Sequence, residues 1–287
     1  MNRREFLAAS AAMLALGADA PGITFGFTLY GMKSLPLDDA LKTCASIGYQ
    51  SVELALMPGY HNDFDRAKLR DRLRELKLTL PALMENLPLD VDEAKLPAQH
   101  ARLKAACEIG RALSPEAPPV IETILGGKPG QWEMLKEAFV KRLADWAKIA
   151  AEGKTVIAIK PHRMQAVNLP EHALWLLEKV GSPWIRHAFD WSHYEGRDLS
   201  MADVVKLLAP ATRFVHVKDT VFDKDKATFV LPGEGTTDYR KLVGLLKEAG
   251  YRGCVCVEVS GMVSGKKDYD PVAAARKCYT SLAPAFH

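Results

Sequence analysis

The chain predicts an α/β fold, a single (β/α)8 barrel, on three observations. Apolar strand-like runs alternate with segments of helical period from Pro21 onward, eight such pairs follow one another, and no shift in composition marks a linker. Strands separated by helices throughout imply a parallel sheet, and eight units imply its closure. A doubly wound open sheet is the competing arrangement, but no Gly-x-Gly-x-x-Gly turn follows the first strand, which argues against a dinucleotide site.

The strands read as residues 23–29, 51–56, 79–84, 119–125, 155–160, 186–190, 213–216 and 254–259. The helices between and after them read as residues 37–47, 65–77, 96–113, 131–151, 171–180, 201–208, 239–249 and 271–282. Punctuation supports these limits in chain order. Gly48 can close the first helix in the left-handed conformation, as Gly153, Gly181 and Gly250 can close the fourth, fifth and seventh. Asp65, Ser200, Asp238 and Asp270 are suited to cap the second, sixth, seventh and eighth. On the fourth helix Leu135, Phe139, Leu143, Trp146 and Ala150 form an apolar stripe, with Lys136, Glu137, Lys141 and Lys148 opposite, as for a helix covering a sheet.

Residues 1–20 read as an export signal of twin-arginine type, ahead of a barrel domain over residues 21–287. Arg3-Arg4 precedes Phe6-Leu7, residues 8–18 are small and apolar, and Ala18-Asp19-Ala20 fits a cleavage site. That run is too short to span a bilayer, so the mature protein is expected in the periplasm and not in a membrane. Five cysteines without framework spacing imply no disulfides, consistent with a chain that folds before export. Cys254 and Cys256 share one face of a strand and read as small core residues. A net charge of +3 without a long basic block leaves no footprint for nucleic acid. Exposed helix faces leave a homo-oligomer open.

The second half carries the chemistry. Lys160-Pro161-His162, Phe189-Asp190-Trp191-Ser192-His193, Val215-His216-Val217-Lys218-Asp219, Pro232-Gly233-Glu234-Gly235-Thr236-Thr237-Asp238 and Val257-Glu258 together resemble the xylose isomerase-like TIM-barrel family, which includes sugar isomerases and epimerases. The resemblance runs through the mature chain and is densest from Thr155 onward. It implies that Asp190, His216 and Glu258 match three ligands of one divalent metal, that His193 matches a substrate-contacting histidine, and that Lys160 stands where the family has a fourth ligand, a glutamate. In related epimerases that glutamate and the one matched by Glu258 also exchange protons with substrate.

Moving a proton on carbon beside a carbonyl needs a base at the carbon and positive charge near the oxygen where enolate charge develops. Three carboxylates with a divalent ion carry the same net charge as Lys160 with Asp190 and Glu258 alone, so the lysine can replace the ion. The expectation is Lys160 held between Asp190 and Glu258, and no tightly bound metal. A weak divalent cation (Mn, Co, Mg or Zn) on Asp190, His216 and Glu258 is the alternative. Lys160 has three candidate roles: polarising a substrate oxygen, acting as a base, or forming a Schiff base; a structural ion pair is the fourth.

Glu258, Lys160 and His193 are thus the candidate catalytic residues, and His162, His193, Lys218 and Trp191 the candidate contacts to a carbohydrate substrate. His162 reads equally well as a loop histidine capping a turn. Glu122 and Glu53 face inward as candidate ion-pair partners, and Asp219 as a partner of Lys218. Tyr30 suits the carbon face of a sugar, whereas Phe25 reads as core. The function expected is a sugar isomerase, epimerase or related lyase working through an enolate-like intermediate, with a carbohydrate-binding barrel without turnover as the competing class. A multi-metal endonuclease would need more ligands than these strand ends offer.

Overall fold

A computed structural model describes residues 22–224 and 226–286. The export signal read at residues 1–20 lies outside the described residues. Eight parallel strands close a barrel: β1 (Thr24–Thr28), β2 (Ser51–Ala55), β3 (Thr79–Met84), β4 (Val120–Ile124), β5 (Ile157–Lys160), β6 (Ile185–Asp190), β7 (Thr212–Val217) and β10 (Cys254–Val257). Each follows its chain predecessor around the ring, and β10 closes on β1. The covering helices are α1 (Leu37–Ile47), α2 (Arg66–Glu75), α3 (Leu96–Leu113), α4 (Trp132–Gly153), α5 (Pro170–Val180), α6 (Met201–Leu208), α7 (Tyr239–Glu248), the short α8 (Gly261–Ser264) and α9 (Pro271–Leu282).

Successive strand residues face opposite sides of the sheet, and the two sides are filled differently. The outward set packs with the helices into the main core, which includes Phe27, Val52, Leu54, Leu83, Ile121, Ile159, Phe189 and Val257 with Leu41, Phe139, Leu143 and Trp146. A separate cluster of Ala82, Phe214, Cys254 and Cys256 forms where space is short. Gly26 is required there, because a Cβ would lie 2.7 Å from the Cys254 sulfur. The expected core roles of the two cysteines and of Phe25 hold. Phe25 stacks on Phe286 with centroids 4.4 Å apart.

Three sequence expectations are corrected locally. Gly153 does not close α4; it is the last helical residue, and Lys154 takes the left-handed conformation at φ 49°. Gly153 instead permits close packing, since a Cβ there would meet Cys107 Cβ at 2.8 Å. Asp65, Asp238 and Asp270 accept the predicted capping bonds, but Ser200 makes none. The sequence also hid a two-stranded antiparallel hairpin, β8 (Asp219–Asp223) with β9 (Lys226–Val230), which leaves β7 after one residue, Lys218. Gly48, Gly181 and Gly250 are left-handed as expected.

His187 on β6 is fully buried, its Nδ1 2.9 Å from the Thr212 hydroxyl, and burial holds its pKa down to about 3. An unfolded histidine titrates near pH 6.5, so below that pH the unfolded chain binds a proton that the native site excludes. The stability from this site is complete above about pH 6.5 and is lost as pH falls toward 3. Urea unfolding at stepped pH between 6.5 and 4.5 should therefore lose stability less steeply in His187→Gln than in wild type, by up to about 1.4 kcal/mol per pH unit.

Candidate active site

The barrel's alternation and parallel register bring Lys160, Asp190, His216 and Glu258 to the carboxyl ends of β5, β6, β7 and β10, with Glu53 and Glu122 deeper, in the middle of β2 and β4. Lys160, 2% exposed, places Nζ 2.9 Å from His216 Nδ1, 3.0 Å from Glu122 Oε1 and 3.1 Å from Glu258 Oε2. It is thus held between Glu122 and Glu258, not between Asp190 and Glu258 as expected. Asp190 is taken by Lys218, which donates to Asp190 Oδ2 and, at 2.7 Å, to Glu258 Oε2. The two ammonium groups therefore share one carboxylate oxygen.

A lower layer orients this one. His216 Nε2 lies 2.7 Å from Glu53 Oε2, and both residues are completely buried. Asp190 Oδ1 accepts from the Ser192 amide at 3.1 Å and its hydroxyl at 2.7 Å, anchoring the short turn that carries His193. Glu85, at the end of β3, is buried and paired with Arg102 of α3, a contact with no sequence signature.

Burial opposes every charge here, and partners decide the outcome. Desolvation alone would lower Lys160, but Glu122, Glu258 and Asp190 outweigh it and hold the amine above its usual range, as an ammonium. Desolvation would likewise raise Glu258, yet Lys160 and Lys218 hold it well below the usual carboxylate range. Glu53 is pushed well up by burial and by Glu122, and Glu122 is raised by burial against the pull of Lys160. Burial, reinforced by the ammonium groups, keeps His193 and His216 neutral and lowers His162 to about 3.

The remaining candidates separate by position. His193 is buried with its Nε2 3.3 Å from Lys218 Nζ and 3.4 Å from Asp190 Oδ2, and its ring centroid is 4.1 Å from that of His162. His162 also accepts from the Met164 amide at 3.2 Å, so the turn-capping reading is realised beside the pocket. Trp191 packs into the main core and offers little ring surface to a sugar. Asp219 does not pair with Lys218; it accepts from the amides of Thr220, Gly233 and Thr237 and fixes the base of the hairpin. Phe229 of β9 was not foreseen. Its ring lies 5.1 Å from Lys218 Nζ and 5.3 Å from the His193 ring, closing that side of the pocket. Over β1 and β2, Tyr30 stacks on Tyr60 with centroids 5.0 Å apart, beside Met57, Met84 and Ala55.

Asp190, His216 and Glu258 offer ligand atoms within 4.8 Å of one another, a spacing that suits one divalent ion. Their inward atoms, however, already face ammonium groups: His216 Nδ1 and Glu258 Oε2 meet Lys160, and Asp190 Oδ2 meets Lys218. Donors occupy those lone pairs and their charge repels a cation, so this set does not fit a divalent ion while both lysines hold these places. Glu53, His216 and Cys256 lie equally close together, but Glu53 and His216 are already bonded to each other.

A parallel eight-stranded barrel with acid, histidine and lysine groups gathered at its strand ends defines a class, and the sequence comparison specifies it. The chain belongs to the xylose isomerase-like TIM-barrel family, whose model matches residues 41–278. It is 25% identical to an inosose isomerase of Halalkalibacterium halodurans over 236 residues, 76% of this chain and 81% of that protein. Its fold matches the IolI protein with a bound zinc atom at a TM-score of 0.74 and 19% identity, covering 92% of this chain and 98% of the other. It matches an L-ribulose 3-epimerase at 0.71 and 17%, covering 92% and 96%.

Lys160→Glu should convert the site. Removing the ammonium and adding a ligand should let the protein retain close to one zinc or manganese per chain after gel filtration. Wild type should release added metal under the same conditions, as read by elemental analysis.

Proposed function

We propose that this protein is a carbohydrate isomerase or epimerase that acts on a neutral hydroxy-ketone sugar or cyclitol through an enolate-like intermediate, with the Lys160 ammonium serving where relatives place a metal. The observation that carries this reading is the position of Lys160 Nζ, 2.9 Å from His216 Nδ1 and 3.1 Å from Glu258 Oε2. Membership of the family and similarity to a protein named inosose isomerase support the substrate class. Both ammoniums are already paired with carboxylates, Lys160 with Glu122 and Glu258 and Lys218 with Asp190 and Glu258, an arrangement suited to an uncharged substrate.

In this reading Glu258 takes the proton from carbon next to the substrate carbonyl, and the electron pair moves onto the carbonyl oxygen. Lys160 and Lys218 hold Glu258 through Oε2, which leaves Oε1 as the oxygen to receive that proton. As the enolate oxygen becomes negative it draws the Lys160 ammonium toward itself. That weakens the lysine's hold on Glu258 and restores the carboxylate's basicity at the moment it is needed. Return of the proton from Glu258 to the former carbonyl carbon, with the neighbouring hydroxyl proton passing to the enolate oxygen, gives the isomer. A solvent proton delivered to the opposite face of the first carbon, with Glu258 releasing its own to solvent, gives the epimer. His193, beside Lys218, orients a hydroxyl.

The strong depression of Glu258 favours a second reading, a sugar-binding barrel without turnover, because a carboxylate stabilised as an anion is a poor base. Proton exchange separates the two. In D2O with chelator present, inososes and ketohexoses should gain deuterium beside the carbonyl by NMR. Glu258→Gln should slow this about 10²-fold or more, and Lys160→Met about 10²- to 10³-fold. Saturable binding of these sugars without exchange would establish the binding-only reading.

We also propose export by the twin-arginine route, supported by Arg3-Arg4 and by five free, buried thiols that need no oxidising compartment to fold. Expressed with residues 1–20 in place, the protein should be recovered in the periplasmic fraction with that segment removed. Replacing both arginines by lysine should retain it in the cytoplasm.

A further inference from the structure

We infer that Glu53 is a positioning residue that holds His216 in one tautomer, with the proton on Nε2 and the Nδ1 lone pair aimed at the pocket. An ammonium has donors and no acceptor, so Lys160 Nζ at 2.9 Å from His216 Nδ1 requires a lone pair on Nδ1. A neutral imidazole carries one ring proton, which then sits on Nε2 and is donated to Glu53 Oε2 at 2.7 Å. Ionised or protonated, the carboxyl presents an oxygen acceptor there, and its complete burial on β2 leaves the His216 ring no water to bond instead. The chain Glu53, His216, Lys160 thus has one direction, running from the barrel interior to the pocket.

Glu53 touches neither pocket nor substrate in this arrangement and acts only through the histidine. Its role follows the general rule that the remote nitrogen of a working imidazole is fixed by an acceptor, which sets the ring's orientation and basicity. The inference rests on the proposed function only in taking this pocket as the active site, and its test needs no substrate.

Long-range proton–nitrogen NMR of uniformly ¹⁵N-labelled protein at pH 7, with His216 assigned by its loss in His216→Gln, reads the tautomer directly. Wild type should show a protonated Nε2 and an unprotonated Nδ1. Glu53→Gln, which keeps an oxygen acceptor and removes the charge, should preserve that pattern. Glu53→Leu should lose it, giving mixed tautomers or exchange-broadened signals. A protonated Nδ1 in wild type, loss of the pattern in Glu53→Gln, or an unchanged spectrum in Glu53→Leu would each overturn the inference. If the leucine variant does not fold, wild type and Glu53→Gln still decide it. Failure of sugar exchange alongside the expected spectra would count against the proposed function and leave the role of Glu53 standing.

Discussion

Two ammonium groups buried among carboxylates are the constraint around which this barrel end is organised. Lys160 and Lys218 are 2% and 3% exposed, and each would be costly to bury alone. They are tolerated because Glu122, Asp190 and Glu258 surround them and because Glu258 Oε2 serves both. Removing one member of such a group leaves its partners uncompensated, a change that costs about 3–5 kcal/mol where a buried pair is broken. The carboxylates are therefore held by the lysines as firmly as the lysines by them, and the pocket is ordered before any ligand enters.

Room for these long side chains comes from the small residues below them. Gly26, Ala82, Ala158, Ala188, Cys254 and Cys256 occupy positions on the barrel strands where larger side chains would fill the interior. Phe214 lies directly below His216, its ring centroid 4.9 Å away, and the small residues around it leave Glu53 and His216 fully buried yet able to meet across the barrel. The opposite side of the sheet carries the Leu, Ile, Val and Phe that bind the helices, so the division of labour between core and site follows the two-residue period of each strand.

The barrel was legible because its signals are local: apolar runs of strand length, a stripe on α4, glycines and aspartates at helix ends. The site was legible as a set, since residues at successive strand ends must converge, and Glu122 does pair with Lys160. The pairing within the set was not legible. Lys160 lies level with the last residues of its strand, whereas Lys218 lies just past the end of β7, two residues beyond His216. Sequence places residues along strands but not their depth in the barrel, and depth decides which lysine reaches Asp190. Glu53 was underread for the same reason. The hairpin escaped because Val221 and Phe222 are exposed in the middle of a polar stretch, so Asp219 to Asp223 reads as a loop unless paired with Lys226 to Val230. Trp191 misled because proximity in sequence to Asp190 says nothing about which way a ring turns.

Lys218 is the one residue between barrel strand β7 and the first strand of the hairpin. The hairpin is pinned at its base by Asp219, and its Phe222 lies against Gly196 and the Arg163 guanidinium. Phe229 of the second hairpin strand lies 5.1 Å from the Lys218 ammonium, so the hairpin that begins one residue after β7 doubles back to wall the charge it has just left behind. Without that wall the side of the Lys218, Asp190 and Glu258 cluster beside β7 would face water, where these pairings would weaken.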